Sequence, residues 1–433
     1  MKILLCSSGG IGAWFLLRLM REGHACDWVL LDDTDKPAHR RILKGLVPPP
    51  LDQEPDPSAY NLVLFDSTGH GELAEEISKV TPVIGDSLLA SRLEDDRLFG
   101  IEIMEQCGIE VPEYAVFDSP DVARQFIKER PKRYVFKPFA VEGEEQDCDT
   151  TYVSDGPDDL MKAIDSVWKD AHEASFLLQE VVDGTEISTE AYFDGSQFYF
   201  HNHTLEEKKF MPGNFGPNTG CAGNLVWATN GPGRLFQHGL GKLRPFLRDS
   251  GYRGMIDLNT IVNENHVWGL EWTPRFGYDA SASIFSLMEN DLGEFLYRTA
   301  TGSPSSPAPD VKLRAQWAAS ERLSIPPYPE EKLRAAAKLP VKGIKIEDAW
   351  LNCYLHDVMI DVSNTGDEPG LVTAGSEGWV ASPIGYGHNP EAAWSNLRKL
   401  AKNYKMPNMQ VRTDCQESTL KRLQEARAMG WIT

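Results

Sequence analysis

The sequence predicts an α/β protein built as several lobes, on the strength of three observations. The chain is 433 residues long, more than one hydrophobic core fills, so it divides into two to four lobes. Its first ninety residues run strand, Gly-rich turn, helix, strand, the order of a parallel sheet. Its middle reads as antiparallel hairpins, one turning on Asp194-Gly195 and one on Asn263-Glu-Asn-His266.

The expected N-terminal lobe spans residues 1–90 and is Rossmann-like. Ile3-Leu-Leu-Cys6 is a buried strand, Ser7-Ser-Gly-Gly-Ile-Gly12 a tight turn, and a helix follows through Glu22. Strands at Trp28 to Asp32 and Asn61 to Phe65 complete the unit. Glycines let backbone approach a ligand and a helix N-terminus favours an anion, so Gly9 and Gly10 are candidate substrate contacts. Gly9-Gly10-x-Gly12 is not a full dinucleotide fingerprint, although Asp32 ends the second strand as a ribose-binding acid does, so a nicotinamide-dependent oxidoreductase stays open.

The Pro-rich run at 48–57 is a loop, and Ile84-Gly-Asp86 closes the first lobe. Residues 91–302 form the next unit, with a small lobe at about 112–182. It opens with a helix carrying Arg97. It continues through a strand at Tyr114 to Phe117, a helix at Asp121 to Glu129, the strand Tyr134-Val-Phe-Lys137, a helix near Pro157 to Asp170, and the strand at Phe176 to Val182. Ser303 to Pro309 is Pro/Ser-rich and marks a boundary, and residues 303–433 are expected as a separate C-terminal α+β module ending in a helix at Pro390 to Tyr404.

Acidic residues outnumber basic ones by 64 to 43, a formal charge of -21, which argues against duplex nucleic acid or an anionic membrane surface as partner. Seven cysteines without metal-type spacing point to reduced thiols. With no signal-type h-region and no run of membrane-spanning length, a soluble, cytoplasmic protein is expected.

The most informative stretch is Tyr252 to Tyr278. Asp257 lies on one arm of the hairpin, and Glu271 and Thr273 lie on the other. Side chains alternate along a strand, so Glu271 and Thr273 share a face and Asp257 can meet them across the pair. Such an oxygen-rich set suits Mg2+ or Mn2+ beside nucleotide phosphates, while an ordinary hairpin with solvated acids is the alternative.

Taken in order, Arg97, Lys137 at a strand end, Gln179-Glu180-Val-Val182-Asp-Gly-Thr-Glu186 and the Asp257…Glu271-x-Thr273 hairpin resemble the ATP-grasp superfamily. Gly216-Pro-Asn218-Thr219-Gly220, Glu271-Trp-Thr-Pro-Arg275-Phe-Gly277, Gly385-Tyr-Gly-His388-Asn-Pro-Glu-Ala-Ala393 and Arg412-Thr-Asp414 are similar to glycinamide ribonucleotide synthetase, also called phosphoribosylamine–glycine ligase. The resemblance implies an ATP-grasp architecture in which Arg97 and Lys137 hold ATP phosphates, Gln179, Glu180 and Val182 edge the adenine through backbone groups, and Glu186 accepts from the ribose. Glu271 would bridge Mg2+. Thr273 stands where the family has an asparagine ligand, and Asp257 would compensate. Arg275, Asn218 and Thr219 would act on the reacting phosphate and carboxylate, with Gly216, Gly220, Gly9, Gly10, Ser67 and Thr68 lining the substrates.

The implied reaction joins an amino acid carboxylate, glycine in the family, to an amine through an acyl phosphate. The chain departs from the family at Gly9-Gly10-Ile11-Gly12-Ala13, at Asp66-Ser-Thr-Gly69-His70-Gly71, and in the acidic flap Val141 to Asp149. The acceptor is therefore phosphoribosylamine or a different amine, including one on a modified nucleotide. A non-catalytic nucleotide-binding relative is the second reading, and His201, His203 and Cys221 read as structural. The partners expected are small molecules, and the chain is a monomer or homodimer.

Overall fold

The computed structural model describes residues 1–31, 36–139, 151–170, 175–229, 231–303, 310–330, 333–361 and 370–432. Asp32 and the flap at 141–149 lie outside the described residues.

The N-terminal lobe is the parallel sheet its pattern predicts. Strands β1 (Lys2–Ser7), β2 (Ala25–Leu30), β3 (Leu62–Phe65) and β4 (Val83–Ile84) pair in the order β2-β1-β3-β4. β3 is buried along its whole length, as both faces of a parallel sheet require. Helix Ala13–Arg21 covers one face with Trp14, Phe15, Leu16 and Leu19.

The small lobe is an antiparallel sheet of β5 (Tyr114–Phe117), β6 (Tyr134–Phe139), β7 (Tyr152–Val153) and β8 (Ser175–Glu180), ordered β5-β8-β6-β7. Burial alternates along β6: Tyr134 and Phe136 enter a core shared with Ile127 and Ile164 of the covering helices, while Lys137 lies on the other face.

Most of the remainder is one nine-stranded sheet. It contains β9 (Thr185–Phe193), β10 (Phe198–Met211), β11 (Phe215–Ala228), β12 (Gly254–Val262), β13 (Val267–Thr273), β14 (Trp317–Glu321) and β15 (Leu323–Ser324). After β16 (Pro340–Val341) come β17 (Cys353–Leu355), β18 (Val358–Asp361), β19 (Gly370–Thr373) and β20 (Trp379–Gly387). The order is β13-β12-β9-β10-β11-β14-β20-β15, with β17 on β20, while β16, β19 and β18 make a small separate sheet.

The boundary expected at residue 303 is therefore not a structural division. β14 pairs with β11 from Gly223↔Glu321 to Trp227↔Trp317, and β20 pairs with β14, so the C-terminal strands extend the central sheet. Proline and serine mark a connection, but they carry no information about whether the next strand starts a new sheet. The expected last helix is not the last either. Helix Pro390–Ala401 is followed by helix Cys415–Ala428, whose buried positions are only Cys415, Thr419, Leu423 and Ala426, too thin an apolar stripe to stand out in sequence.

Candidate functional site

Strand alternation and register place the polar residues of four strands on one face of the central sheet. Asp257 of β12 pairs with Thr273 of β13 and Glu190 of β9, and Glu190 pairs with Asn202 of β10. One step along, Asn259 pairs with Glu271 and with Ser188. Glu186 lies two residues further on β9, and Lys208 projects from the far end of β10. The sequence-predicted trio Asp257, Glu271 and Thr273 is thus brought together as expected, on a longer polar floor than the hairpin alone suggested.

The outer part of that floor is ionised. Lys208 Nζ lies 2.8 Å from Glu186 Oε1 and 3.0 Å from Glu271 Oε1. Asn259 Nδ2 donates to the same two oxygens at 2.8 and 3.2 Å. The Lys208 ammonium holds the Glu271 carboxyl well below the usual carboxylate range, with burial opposing and Lys137 assisting. In the inner part, burial shifts the acids toward their neutral forms. Burial pushes Glu190 up to about 7 although Asn202 donates to it at 3.0 Å. Burial, then the charges of Glu190 and Glu206, push Asp257 far above its ordinary value. The donor set is all oxygen, which suits a hard divalent cation, and the Lys208 ammonium already occupies a cation's place between Glu186 and Glu271.

Across from the floor, Lys137 Nζ on β6 donates to Gln179 Oε1 at 3.0 Å. Burial lowers Lys137 to about 8; Glu271 resists that shift, and the charges of Arg97 and Lys208 add to it. Arg97 opens helix Arg97–Gln106, which Asp96 caps by accepting from Phe99 N–H at 3.0 Å. The Glu180 side chain points to the opposite face of the small lobe, where it meets Lys132 at 2.7 Å and borders a cavity of about 690 Å³ with Tyr114, Phe126 and Tyr134. The N–H groups of Glu180 and Val181 donate to the carbonyls of Glu113 and Arg133 at 2.8 and 3.1 Å, which leaves the N–H of Val182 without a backbone partner among the described residues.

Gly216, Asn218, Thr219 and Gly220 lie in the first residues of β11, next to the tip of its hairpin with β10, and Gly216 and Gly220 take φ of 80° and 68°. A Cβ at residue 220 would crowd the Tyr278 ring at 3.2 Å, and the positive φ adds to the preference for glycine there. Thr219 Oγ1 donates to the Lys208 carbonyl at 3.0 Å, and Arg322 donates to the Thr219 carbonyl at 2.8 Å. Arg412 clamps the hairpin base, donating to the Lys209 carbonyl and to Asn214 Oδ1, each at 2.9 Å. Arg275 is turned to Glu94 Oε1 at 2.9 Å with its guanidinium over the Tyr278 ring, and Glu94 Oε2 accepts from Thr68 at 3.1 Å.

Part of the first Gly-rich turn is taken up by an acid of the chain itself, whose carboxyl burial pushes above its ordinary value. Asp66 accepts from Ser7 Oγ, from Ser8 N–H at 3.0 Å and from Gly12 N–H at 2.6 Å. Gly9 and Gly10 take φ of 64° and 82° beside it, and Ser67 donates to Ser8 Oγ at 2.9 Å. Burial lowers His201 and His203 to about 4, so both are neutral, in keeping with a structural reading. Sequence reasoning missed Lys208, Asn259, Glu190, Asn202 and Glu94. For the four strand residues the available signal was polar residues at every second position; Glu94 lies on helix Leu88–Asp95, where that signal does not apply.

Residues 95–243 match the family described as phosphoribosylglycinamide synthetase, ATP-grasp (A) domain. The chain is 25% identical over 233 residues to the phosphoribosylamine–glycine ligase of Methanosarcina barkeri, covering 51% of this chain and 53% of the relative. It is 24% identical over 277 residues to that of Pyrococcus furiosus, covering 61% and 60%. The chain spans about half the length of the first curated relatives it matches. Among solved structures, the phosphoribosylamine–glycine ligase of Thermotoga maritima superposes with a TM-score of 0.69 at 18% identity, covering 96% of this chain and 100% of that one. The biotin carboxylase domain of Hydrogenobacter thermophilus 2-oxoglutarate carboxylase, in complex with MgADP, gives 0.64 at 12% identity, covering 100% and 99%. These superpositions establish the ATP-grasp fold.

Proposed function

From the premise that this chain is an ATP-grasp protein resembling phosphoribosylglycinamide synthetase, we propose that it is an ATP-dependent carboxylate–amine ligase. The observation that carries the reading is the ionised pair Glu186 and Glu271, bridged by Lys208 and facing Lys137 across the cleft. Lys137 and Arg97 would hold nucleotide phosphates, the Val182 backbone the adenine edge, and Glu186 the ribose. Glu271, with Asp257 and Thr273 behind it, would hold Mg2+, which when bound supplies neutralisation of phosphate charge. The amino acid carboxylate attacks the γ-phosphate and displaces ADP to form an acyl phosphate, and the amine then attacks the acyl carbon, releasing inorganic phosphate and a proton to give an amide. The chain's own part is positioning and charge compensation: the Gly216 to Gly220 hairpin closes on the reacting groups, and Arg275, released from Glu94, pairs with the carboxylate. The amino acid is glycine or another, and the acceptor is phosphoribosylamine or a different amine.

The test is ADP release that depends on an added amino acid, with hydroxylamine present to trap the acyl phosphate as a hydroxamate. Thr273 at a metal position favours one second reading, a nucleotide-binding relative without turnover. That reading expects ATP binding with no ADP release.

A further inference from the structure

We propose that Glu206 binds the ammonium group of an α-amino acid whose carboxylate pairs with Arg275, so that the site selects amino acids over simple carboxylic acids. The proposal rests on the ligase reading and gives its first substrate a second anchor. An α-amino acid is a zwitterion whose charges are separated by a single carbon, and holding both takes a cation and an anion set close together.

Strand β10 delivers Glu206 to the cleft. Its odd-numbered side chains turn to the side of helix Cys415–Ala428: Leu205 joins the apolar cluster of Leu423, and Glu207 pairs with Arg412 and Arg422 at 2.7 and 2.5 Å. The even-numbered ones turn to the floor, where Asn202 donates to Glu190 and Lys208 meets Glu186 and Glu271. Glu206 lies between Asn202 and Lys208 on that side of the strand, partly exposed, and its carboxyl has neither a hydrogen bond nor an ion pair among the described residues. Its cross-strand partner is Asn224 of β11, fully buried, whose Oδ1 also lacks a hydrogen-bond partner among the described residues. This stretch of floor therefore has acceptors to spare and is short of a donor.

The charges around Glu206 call for a cation. Burial raises its carboxyl to about 7; Lys208 opposes that shift, while Asp279 at the start of helix Tyr278–Leu287, Glu186 of β9 and Glu271 of β13 add to it. Those acids are already committed: Glu186 and Glu271 share Lys208, and Asp279, fully buried, accepts from Ser382 at 3.2 Å and from Arg322 at 3.4 Å. The opposite charge stands nearby. The Arg275 guanidinium lies 4.7 Å from the centre of the Tyr278 ring, one residue from Asp279, and the charge of Glu206 is among those that favour the Arg275 cation. An amino acid held by its carboxylate at Arg275 thus finds an unpaired carboxyl for its other end.

Glycine and acetate, which differ by the ammonium group, are the probes, with L-alanine and propionate as a second pair. Ligand-detected NMR titration with Mg2+ and a non-hydrolysable ATP analogue present is the readout, so binding is seen whether or not turnover occurs. At pH 8 the amino acid of at least one pair should bind about tenfold or more tightly than its simple acid. Glu206→Gln should weaken that amino acid about tenfold and leave the simple acid unchanged, and Glu206→Asp should restore part of the loss. Wild-type affinity for the amino acid should rise from pH 6 to 8, because the ammonium needs the ionised carboxylate, and the Gln variant should lose that component. Thermal unfolding confirms that each variant is folded. Equal binding within both pairs, binding of none of the four probes, or an unchanged Gln variant that remains folded overturns the assignment. A Gln variant that loses Mg2+ affinity and keeps amino acid affinity overturns it too, and assigns Glu206 to the metal. Absence of hydroxamate in the trapping assay, with the titration as expected, counts against the ligase reading alone.

Discussion

On the floor of the cleft, Glu186 and Glu271 share one lysine and one asparagine, whereas on the N-terminal wall Asp66 accepts from a serine hydroxyl and two backbone N–H groups. Both arrangements compensate carboxylates, but only one can be exchanged. A lysine side chain has rotatable bonds that let it swing aside, so the floor is able to exchange its cation. Backbone N–H groups cannot leave without unfolding the turn. The floor carboxylates therefore behave as a site and Asp66 as scaffold, although both sit next to conspicuous sequence motifs.

The sharpest break in that comparison is Glu271→Gln. Volume is kept and the charge is lost, so turnover should fall on the order of 10²-fold or more while thermal stability is little changed. Wild-type ADP release from the purified variant would remove Glu271 from the site. Asp66→Ala attacks the other wall. It leaves the N–H groups of Ser8 and Gly12 unpaired and should cost about 2–4 kcal/mol in denaturant unfolding. If the emptied turn is an anion cradle, inorganic phosphate should stabilise the variant and not the wild type.

The contrast also explains what could be read in the sequence. The Asp257 and Glu271 hairpin was legible from its turn and alternation, but Asp257↔Thr273 pair only because the register shifts by one residue between Asn259 and Thr260; carried on from Val262↔Val267, it would set Asp257 against Trp272. Lys208 was not, because the β9–β10 register shifts by one residue between Tyr199 and His201, so the turn at Asp194-Gly195 with simple alternation puts Lys208 on the face away from Glu186, 22 positions earlier. Asp66 could be seen as a departure from the family, but that its carboxylate folds back on the first turn depends on β3 lying parallel to β1, a contact between residues 54 to 59 positions apart. The continuation of the central sheet past residue 303 was hidden for the same reason: strand pairing is non-local, while proline content is local.

Lys137 sharpens the comparison from the opposite side of the cleft. Its ammonium titrates near 8 because burial disfavours the charge, so in the free protein it loses its proton as pH rises through about 8. A phosphate favours the charged form, so nucleotide binding above that pH must be accompanied by proton uptake. Calorimetry should show ATP affinity falling between pH 7 and 9, with a loss of about tenfold or more for Lys137→Ala at pH 7. Lys137→Arg should retain binding and abolish the pH dependence. A wild-type affinity that is flat across this range would place Lys137 outside the phosphate site.

The smallest effect tests the split between the outer and inner floor. Glu190 is 5% exposed and its carboxyl titrates at about 7 against an ordinary value of 4.5, because burial penalises the charge more than the Asn202 hydrogen bond offsets it. A folded-state value above the unfolded one means that its contribution to stability is complete below about 4.5 and is lost as pH rises through about 7. Glu190→Gln keeps the volume and cannot ionise, so the variant should gain on the wild type as pH increases from 6 to 8.5, by about 1–1.5 kcal/mol in denaturant unfolding. Mg2+ at saturating concentration should shrink that gap, since a cation near Asp257 and Glu190 stabilises the ionised acids that only the wild type has. A gap that does not vary with pH would mean that Glu190 is ionised and solvated in the folded protein, and the inner floor would then be part of the same exchangeable set as Glu186 and Glu271.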